Sequence, residues 1–339
     1  MALDPLAKIF AMRTKKPISE TGGGHGNKGV DFQRCWAVMR MFELENEKSP
    51  DFLFLFETLQ DVAILDAEVN PTAVKIYQLK KKERKEWSWV DLTALDDPTK
   101  SAKKKAAPKQ LAEIQSSPIG KLYATIRALS DLKARGRFVS NAGCDLILEN
   151  GGNAATSMPV QLSDLSQAYR DSLLAGFETL HDVGDPPADL SCIHLERVDL
   201  TVNDLGTQLL GVVHKFLEAR SPRHLGQAQS LVNALLVKLG PLSAHTDTCQ
   251  NFDELRKQRG YSRKEFVGAL AELETVPDQK GGARPMARLS SKTDDLSKGQ
   301  ADHSIVRGIV SPSPRSSDAR LGRLDCGVLR SVVCCVAGC

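Results

Sequence analysis

The chain has 339 residues, 41% of them hydrophobic, and a net charge of +3, which predicts a soluble globular protein with a substantial core. No apolar run approaches the roughly 20 residues of a bilayer span, and the first residues lack the apolar core and cleavage site of a signal peptide, so we expect a cytoplasmic protein with no membrane partner. The eight cysteines show no Cys-x-x-Cys pair and no zinc-finger spacing, which favours reduced, buried thiols.

The chain is predicted to begin with a polar arm over residues 1–28 that opens with a short amphipathic segment. From Gly29 to Leu44, large apolar residues recur at the spacing of one helical face, which predicts a helix packed against a core. These residues are Phe32, Cys35, Trp36, Met39 and Phe42. Gln33 lies beside the apolar stripe.

Three short runs predict strands at Phe52–Phe56, Val62–Leu65 and Val74–Lys80. The linker 66–73 contains Asn-Pro and is predicted to turn the chain so that the second and third strands lie antiparallel. Side chains of a strand point alternately to opposite faces, so Gln78 and Lys80 share one face. The hairpin can therefore bring Asp61, at the start of the second strand, near Gln78 and Lys80.

The side chains that meet at this hairpin end suit metal-assisted phosphodiester hydrolysis. The carboxylates of Glu57 and Asp61 and the amide oxygen of Gln78 are hard oxygen ligands of the kind that Mg²⁺ prefers, and Mn²⁺ can substitute for it. Such an ion would polarise the phosphoryl group and acidify a bound water. Lys80 could orient that water or offset the charge that develops on phosphorus. A sheet edge with solvated charges is the alternative interpretation of this stretch.

A basic segment begins on the third strand. Residues 75–109 hold 11 basic against 5 acidic residues, which could neutralise DNA phosphates and make binding salt-dependent. The predicted DNA contacts are Lys81, Lys82, Lys103, Lys104 and Lys105. We expect a mobile basic loop over 86–109, in which Trp87 and Trp89 either stack on bases or anchor the loop to the core.

The order of the next elements predicts an α/β core. Apolar spacing predicts a second helix from Ile119 to Leu129, followed by strands at Arg137–Ser140 and Asp145–Glu149. A helix, a strand, a hairpin, a helix and a strand are the elements that an α/β domain needs. A linker of small residues follows at Gly151–Pro159.

The second half of the chain is predicted to be mainly helical, with one strand at His194–Leu200. Ser262 and Glu265 form a capping-box pattern at the start of its last helix. The segment 252–273 predicts either a helix-turn-helix or a plain helical hairpin. In the helix-turn-helix, the residues facing phosphate would be Arg256, Lys257, Arg259, Arg263 and Lys264. Residues 281–339 contain no aromatic residue and no Glu, so we expect a disordered tail.

The spacing of Asp61 and Gln78-x-Lys80 resembles the PD-(D/E)XK nuclease signature, in the variant where Gln replaces the second acid, as in Mrr-like restriction enzymes. GNKGVDFQRCWAV, from Gly26, is similar to the first helix of the double-stranded DNA endonuclease domain of CD-NTase-associated effectors in bacterial anti-phage (CBASS) systems. IGKLYATI and RFVSNAG resemble later landmarks of that domain.

This resemblance implies a restriction-endonuclease-like α/β fold, a central mixed sheet flanked by helices, followed by a mainly helical region and a disordered tail. The implied parts are an arm at 1–28, a nuclease core at 29–150, a helical region of the same module at 151–280 and the tail at 281–339. The catalytic residues would be Asp61, Gln78 and Lys80, and the metal ligands Glu57, Asp61 and Gln78. Gln33 would be an outer-shell residue, because a polar residue of the first helix approaches the metal in related nucleases.

The implied function is a Mg²⁺-dependent endonuclease of double-stranded DNA that acts in anti-phage defence. We expect self-association on activation, and a separate cyclic-nucleotide-linked regulator because no sensor domain is recognisable in the chain. The alternative is a non-catalytic DNA-binding or interaction module that uses the helical half, with the hairpin serving only a structural role.

Overall fold

The computed structural model of the protein describes residues 4–13, 15, 27–100, 111–182, 184–201, 203–244 and 249–275. Three of the predicted DNA contacts, Lys103, Lys104 and Lys105, lie outside the described residues. The predicted tail at 281–339 and most of the predicted arm also lie outside them.

The α-helices are α1 (Pro5–Met12), α2 (Asn27–Asn46), α3 (Trp89–Thr93), α4 (Leu111–Ser116), α5 (Pro118–Ala128), α6 (Ala154–Ser157), α7 (Gln167–Glu178), α8 (Leu205–Arg220), α9 (Ala228–Leu242), α10 (Phe252–Arg259) and α11 (Arg263–Thr275). Short 3₁₀ helices lie at Leu162–Asp164, Leu190–Cys192 and Pro222–Gln227. The strands are β1 (Leu53–Phe56), β2 (Val62–Leu65), β3 (Ala73–Lys80), β4 (Lys133–Ser140), β5 (Val160–Gln161), β6 (Ile193–Arg197) and β7 (Gly260–Ser262). None of these described helices combines the length and apolar character needed to cross a bilayer.

The seven strands form one mixed sheet in the order β5-β6-β4-β3-β2-β1-β7. β1 pairs antiparallel with β2 and with β7, and β2 pairs antiparallel with β3. β4 runs parallel to both β3 and β6, and β5 is antiparallel to β6. The predicted fold class is confirmed, since a mixed sheet flanked by helices is a restriction-endonuclease-like core.

Both faces of the sheet are buried, because the central strands carry apolar residues on both sides. On the first face, Val74 and Ile76 of β3 share a core with residues of α5 and α7. On the second face, Tyr77 and Leu79 share a core with residues of α2, α8 and α9. The rings of Trp36 and Tyr77 lie 4.5 Å apart between centroids. The helix predicted from the apolar stripe therefore lies directly on β3.

Most elements predicted from local pattern are confirmed. The three predicted hairpin strands are β1, β2 and β3, with the expected antiparallel pairing of β2 and β3. The helix predicted at Gly29–Leu44 lies within α2, and the strand predicted at Arg137–Ser140 is the second half of β4. The capping box is also present, because the Ser262 N–H donates to Glu265 Oε2 at 2.7 Å and the Glu265 N–H donates to Ser262 Oγ at 3.3 Å.

The strand predicted at Asp145–Glu149 is wrong. This part of the described chain makes only isolated bridges, between Ile147 and Asn153 and between Leu148 and Leu165. It cannot join the sheet beside β4, because β3 and β6 already occupy the two hydrogen-bonding edges of that strand.

The segment after β3 is more ordered than the mobile loop predicted over 86–109. Its described part, up to residue 100, contains α3, which is capped because the side chain of Ser88 accepts a hydrogen bond from the Asp91 N–H. Trp89 is buried in the first-face core, and its Nε1 donates to the Asp96 carbonyl at 3.0 Å. Of the two roles predicted for this tryptophan, the structure shows the anchoring one.

The segment 252–273 is neither a helix-turn-helix nor a plain helical hairpin. β7 separates α10 from α11 and pairs with β1 at the edge of the sheet. Arg256 forms an ion pair with Glu68, and Arg263 forms one with Glu45. These two guanidinium groups therefore bind carboxylates of the protein, which weakens the case for a phosphate-binding helix pair.

The sheet takes strands from both sides of residue 150. β5, β6 and β7 all come from the region that was predicted to be mainly helical. The described residues up to Thr275 belong to one compact unit. The later half of the described chain therefore completes the same sheet that carries the hairpin.

The four cysteines of the described chain are buried and free, as the sequence predicted. Burial raises the pKa of Cys35 to about 11 and that of Cys192 to about 12. These side chains therefore remain protonated thiols at neutral pH and are poor nucleophiles.

The junction between α10 and β7 requires glycine. A Cβ atom on Gly260 would lie 2.4 Å from the Arg256 carbonyl oxygen, whereas a Cβ atom on Gly211 in α8 would meet nothing within 4 Å. We expect Gly260→Ala to lower the free energy of unfolding by about 1–3 kcal/mol through overpacking. The control Gly211→Ala should be neutral or stabilising by up to about 1 kcal/mol. Urea denaturation measures both, and equal effects would contradict the close junction.

Candidate active site

The pairing register of β2 and β3 sets which side chains meet at the hairpin end. Val62 lies opposite Tyr77, so the next pair outward is Asp61 and Gln78. By strand alternation, Gln78 and Lys80 project from the first face, on the same side as Ile76. The structure therefore brings together the three predicted catalytic residues.

Asp61 is a buried carboxylate, only 2% exposed. Its Oδ2 accepts a hydrogen bond from the Leu79 N–H at 2.6 Å. The Nζ of Lys80 lies 3.3 Å from Oδ2 and 3.5 Å from Oδ1. A charge that is removed from water needs such partners. Two groups of β3 thus fix the orientation of the carboxylate, while the side chain of Lys80 remains 32% exposed.

Gln78 carries an orphaned polar atom. Its side chain is 1% exposed, and its Oε1 has no hydrogen-bond partner among the residues that the structure describes. A buried acceptor without a partner is rare and calls for an explanation. A cation bound beside Asp61 would supply one, so the donor set fits a divalent metal. No three His, Cys, Asp or Glu side chains cluster anywhere in the described chain, and this set instead combines carboxylates with an amide oxygen.

The β1–β2 turn (Glu57–Asp61) carries the other predicted metal ligand. Glu57 has a φ of 46° and Gln60 a φ of 101°, and each non-glycine residue in this region costs on the order of 1–3 kcal/mol. The Glu57 N–H donates to the Asp61 carbonyl at 3.0 Å, which closes the turn. The Nε2 of Gln60 donates to Thr125 Oγ1 of α5 at 2.9 Å. The turn is therefore strained but held on both sides.

The ends of β3 and β4 are held together by side-chain bonds just beyond Lys80. The Lys82 N–H donates to Asn141 Oδ1 at 2.8 Å, and Asn141 Nδ2 donates back to the Lys82 carbonyl at 2.9 Å. The Nε1 of Trp87 donates to Ser140 Oγ at 2.8 Å. In the parallel register Ser140 lies beside Lys80, so these bonds stabilise the strand end that presents the lysine.

The two described lysines of the predicted DNA surface differ in their contacts. The Nζ of Lys82 binds Asp91 Oδ2 at 2.8 Å and the Glu86 carbonyl at 2.9 Å, and it lies 4.5 Å from the Trp87 ring centroid. The hydrogen bond from Lys82 lowers the pKa of Asp91. Lys81 is partly exposed and has no ion-pair partner in the described chain. Lys82 thus holds the segment before α3 in place. Lys81, which makes no ion pair in the described chain, is the better candidate for a DNA contact.

Gln33 lies on a different side of the sheet. Its side chain is 8% exposed on α2, a helix that packs on the second face. Gln78 and Lys80 project from the first face. The outer-shell role of Gln33 stays a prediction.

Two residues that support the site were not predicted from the sequence. Gln60 lies in the same turn as Asp61, and its position as a polar residue between two apolar strands could have indicated a buried hydrogen bond. Asn141 belongs to the RFVSNAG motif, directly after the predicted strand, where an Asn commonly bonds to neighbouring backbone groups. Both act through backbone or side-chain bonds that hold strand ends in place.

Comparison with known proteins adds one finding to this geometry. Residues 21–240 match the family described as Cap4, dsDNA endonuclease domain. No curated protein and no solved structure matches the chain. The matched segment includes β1 to β6 and the side chains of Glu57, Asp61, Gln78 and Lys80. Since the match covers more than half of the chain, this protein belongs to the family of Cap4 double-stranded DNA endonuclease domains.

Proposed function

We propose that the protein is a metal-dependent endonuclease of the PD-(D/E)XK type that hydrolyses phosphodiester bonds in double-stranded DNA. We also propose that it acts in the bacterial cytoplasm as an effector of anti-phage defence. The observation that carries the proposal is the buried Oε1 of Gln78, which has no hydrogen-bond partner in the described part of the chain and belongs to the strand end that bears the Asp61–Lys80 pair. The chain that carries it belongs to a family of double-stranded DNA endonuclease domains.

The residues that would hold the metal are Glu57, Asp61 and Gln78. Two carboxylates and one amide oxygen form the hard oxygen set that suits Mg²⁺, and Mn²⁺ accepts the same ligands. When bound, the ion supplies Lewis-acid polarisation of the phosphoryl oxygen and a lower pKa for a coordinated water.

Side chains and backbone groups of β3 would orient the metal ligand Asp61, the attacking water and the phosphate. The Leu79 N–H donates to Asp61 Oδ2 at 2.6 Å, which fixes the orientation of the carboxylate that would bind the metal. The ammonium of Lys80 lies at the partly exposed rim of the site. There it can orient the attacking water and stabilise negative charge on the phosphate oxygens. Gln78 lies on the same face of β3 as Lys80 and would add its amide oxygen to the ligands.

Double-stranded DNA is the substrate that the family implies. DNA affinity would come mainly from phosphate contacts by basic side chains. We assign Lys81 to this surface on the basis of its unpaired charge in the described chain, and the contribution of Lys103, Lys104 and Lys105 stays a prediction. Lys82 contributes mainly by holding the segment before α3.

Cleavage of both strands requires a second copy of the site. One active site cuts one strand, so breaking a duplex in a single encounter needs two copies about a two-fold axis. We therefore infer that the active form self-associates on activation. A separate cyclic-nucleotide-linked regulator that gathers the copies is the signal we expect.

The site assignment predicts loss of cleavage in two variants. Asp61→Ala and Lys80→Ala should each slow plasmid cleavage in Mg²⁺ by at least about 100-fold, because the lost activation amounts to several kcal/mol. Lys75→Ala, earlier in β3 and on its opposite face, is a matched control that should cleave like wild type. Wild-type protein in EDTA should be inactive. If both site variants cut at the wild-type rate in nuclease-free preparations, the assignment is wrong.

The orphaned oxygen of Gln78 predicts an unusual effect on stability. In EDTA, Gln78→Met should leave the free energy of unfolding unchanged or raise it by about 1 kcal/mol, because a buried acceptor without a partner is removed. The control Thr125→Val removes an equally buried hydroxyl that accepts from Gln60 Nε2 and donates to the Lys121 carbonyl, and it should lower the free energy of unfolding by about 1 kcal/mol. Chemical denaturation compares the two. A clear destabilisation by Gln78→Met would show that its oxygen has a partner in the metal-free protein.

The different contacts of the two lysines predict different consequences of their removal. Lys81→Ala should weaken DNA binding and reduce the slope of log K against log salt by about 0.9, the share of one phosphate contact, with stability unchanged. Lys82→Ala should lower stability by up to about 1 kcal/mol through loss of its ion pair and its contact with Trp87. Fluorescence anisotropy with duplex DNA at several salt concentrations, together with thermal unfolding, measures both. The reverse pattern would contradict the assignment.

A further inference from the structure

Arg259 connects the last part of the described chain to the candidate active site. It is the final residue of α10 and lies outside the segment 21–240 that matches the family. Its guanidinium donates a hydrogen bond to the carbonyl oxygen of Glu57. Glu57 is the first residue of the β1–β2 turn and a proposed metal ligand. A residue remote in sequence therefore contacts the backbone of the site.

The pairing of β1 with β7 places Arg259 at this position. Leu55 lies opposite Gly260 in the antiparallel register, so Arg259 lies opposite Phe56, next to the start of the turn. Gly260 permits the tight passage from α10 into β7, because its N–H donates to the Arg256 carbonyl and a Cβ atom there would collide with it. The contact with Glu57 thus follows from strand register and is not a chance meeting of surface side chains.

The β1–β2 turn needs external support. Glu57 and Gln60 both adopt positive φ angles that non-glycine residues rarely take. Such conformations persist only where the surrounding structure holds them. Gln60 is held by Thr125 of α5, and the peptide group after Glu57 is held by Arg259. The two contacts come from different elements and hold opposite parts of the turn.

A hydrogen bond from a charged donor is stronger than one between neutral groups. The guanidinium can fix the peptide plane between Glu57 and Thr58, and with it the direction in which the Glu57 side chain leaves the backbone. The same turn ends at Asp61, whose carbonyl accepts from the Glu57 N–H at 3.0 Å. A shift of the Glu57 peptide would therefore move both carboxylates of the proposed metal set.

We propose that Arg259 is a positioning residue of the active site, which sets the β1–β2 turn so that Glu57 and Asp61 present their carboxylates to a divalent cation. This inference rests on the proposed function, because it assumes that the turn binds a metal. It extends the site beyond the segment that matches the family.

The neighbouring residue Arg256 provides a matched control. It lies one turn earlier on α10 and forms an ion pair with Glu68, away from the active site. Arg256→Gln therefore removes an arginine of the same helix and one ion pair, but leaves the contact with Glu57 intact. Any effect of losing charge or helix packing in α10 should appear in both variants.

The test measures Mn²⁺ binding to the full chain in the absence of DNA. The electron paramagnetic resonance signal of the free ion reports how much Mn²⁺ is unbound. We expect Arg259→Gln to weaken Mn²⁺ binding by about 10-fold or more, the usual effect of removing a group that orients a metal ligand. Arg259→Lys should recover most of the affinity, because an ammonium can donate to the same carbonyl. Arg256→Gln should bind like wild type. The Mg²⁺ concentration for half-maximal plasmid cleavage should rise in the same order.

Thermal unfolding of each variant distinguishes a folding defect from a binding defect, because binding is then measured well below the unfolding temperature of that variant. If wild type binds Mn²⁺ and Arg259→Gln binds it equally well, the positioning role is wrong while the metal proposal stands. Failure of Arg259→Lys to recover affinity would also overturn the role. If wild-type protein binds no Mn²⁺ and cleaves DNA in EDTA, the metal proposal fails first, and the role of Arg259 fails with it.

Discussion

The register between β2 and β3 is the constraint on which the site depends. Val62 opposite Tyr77 places apolar side chains on both faces of the sheet, and it also places Asp61 opposite Gln78 at the strand end. A slip of one residue would exchange the two faces of β3 and move Gln78 and Lys80 to the side of α2. Both faces are packed against helices, so such a slip would disrupt two cores. The same burial that stabilises the sheet therefore fixes the geometry of the candidate active site.

The polar groups of the site differ in whether they have hydrogen-bond partners. This difference helps to distinguish residues retained for stability from residues retained for function. Asp61 has a backbone N–H and the ammonium of Lys80 as partners, so its buried charge is balanced without a ligand. Within the described residues Gln78 Oε1 has no hydrogen-bond partner, and the β1–β2 turn contains two residues at positive φ. Groups that lower stability are usually retained where binding or chemistry needs them. The presence of both features beside the Asp61 carboxylate is in keeping with an active site there.

Contacts between residues close in sequence could be predicted, whereas contacts between residues remote in sequence could not. The hairpin and its three catalytic candidates were predictable, because alternation and an Asn-Pro turn act within a few residues. The pairing of β7 with β1 was not, because Gly260–Ser262 is too short to show a pattern and its partner is remote in the chain. The prediction of a strand at 145–149 was wrong for a related reason. Its composition suits a strand, but whether a sheet edge is available to it is decided by β6, far along the sequence.

The end of the family match is not the end of the folded unit. Without β7, strand β1 would be an open edge with unpaired backbone groups, a known liability for sheets. Glu45 of α2 is buried and binds both Arg220 of α8 and Arg263 of α11. Removing the last two helices would leave this carboxylate with half of its partners, and a buried charge that loses a partner is strongly destabilising. The residues beyond 240 therefore complete both the sheet and the charge balance behind it, and the folded unit that carries the candidate site extends through α11.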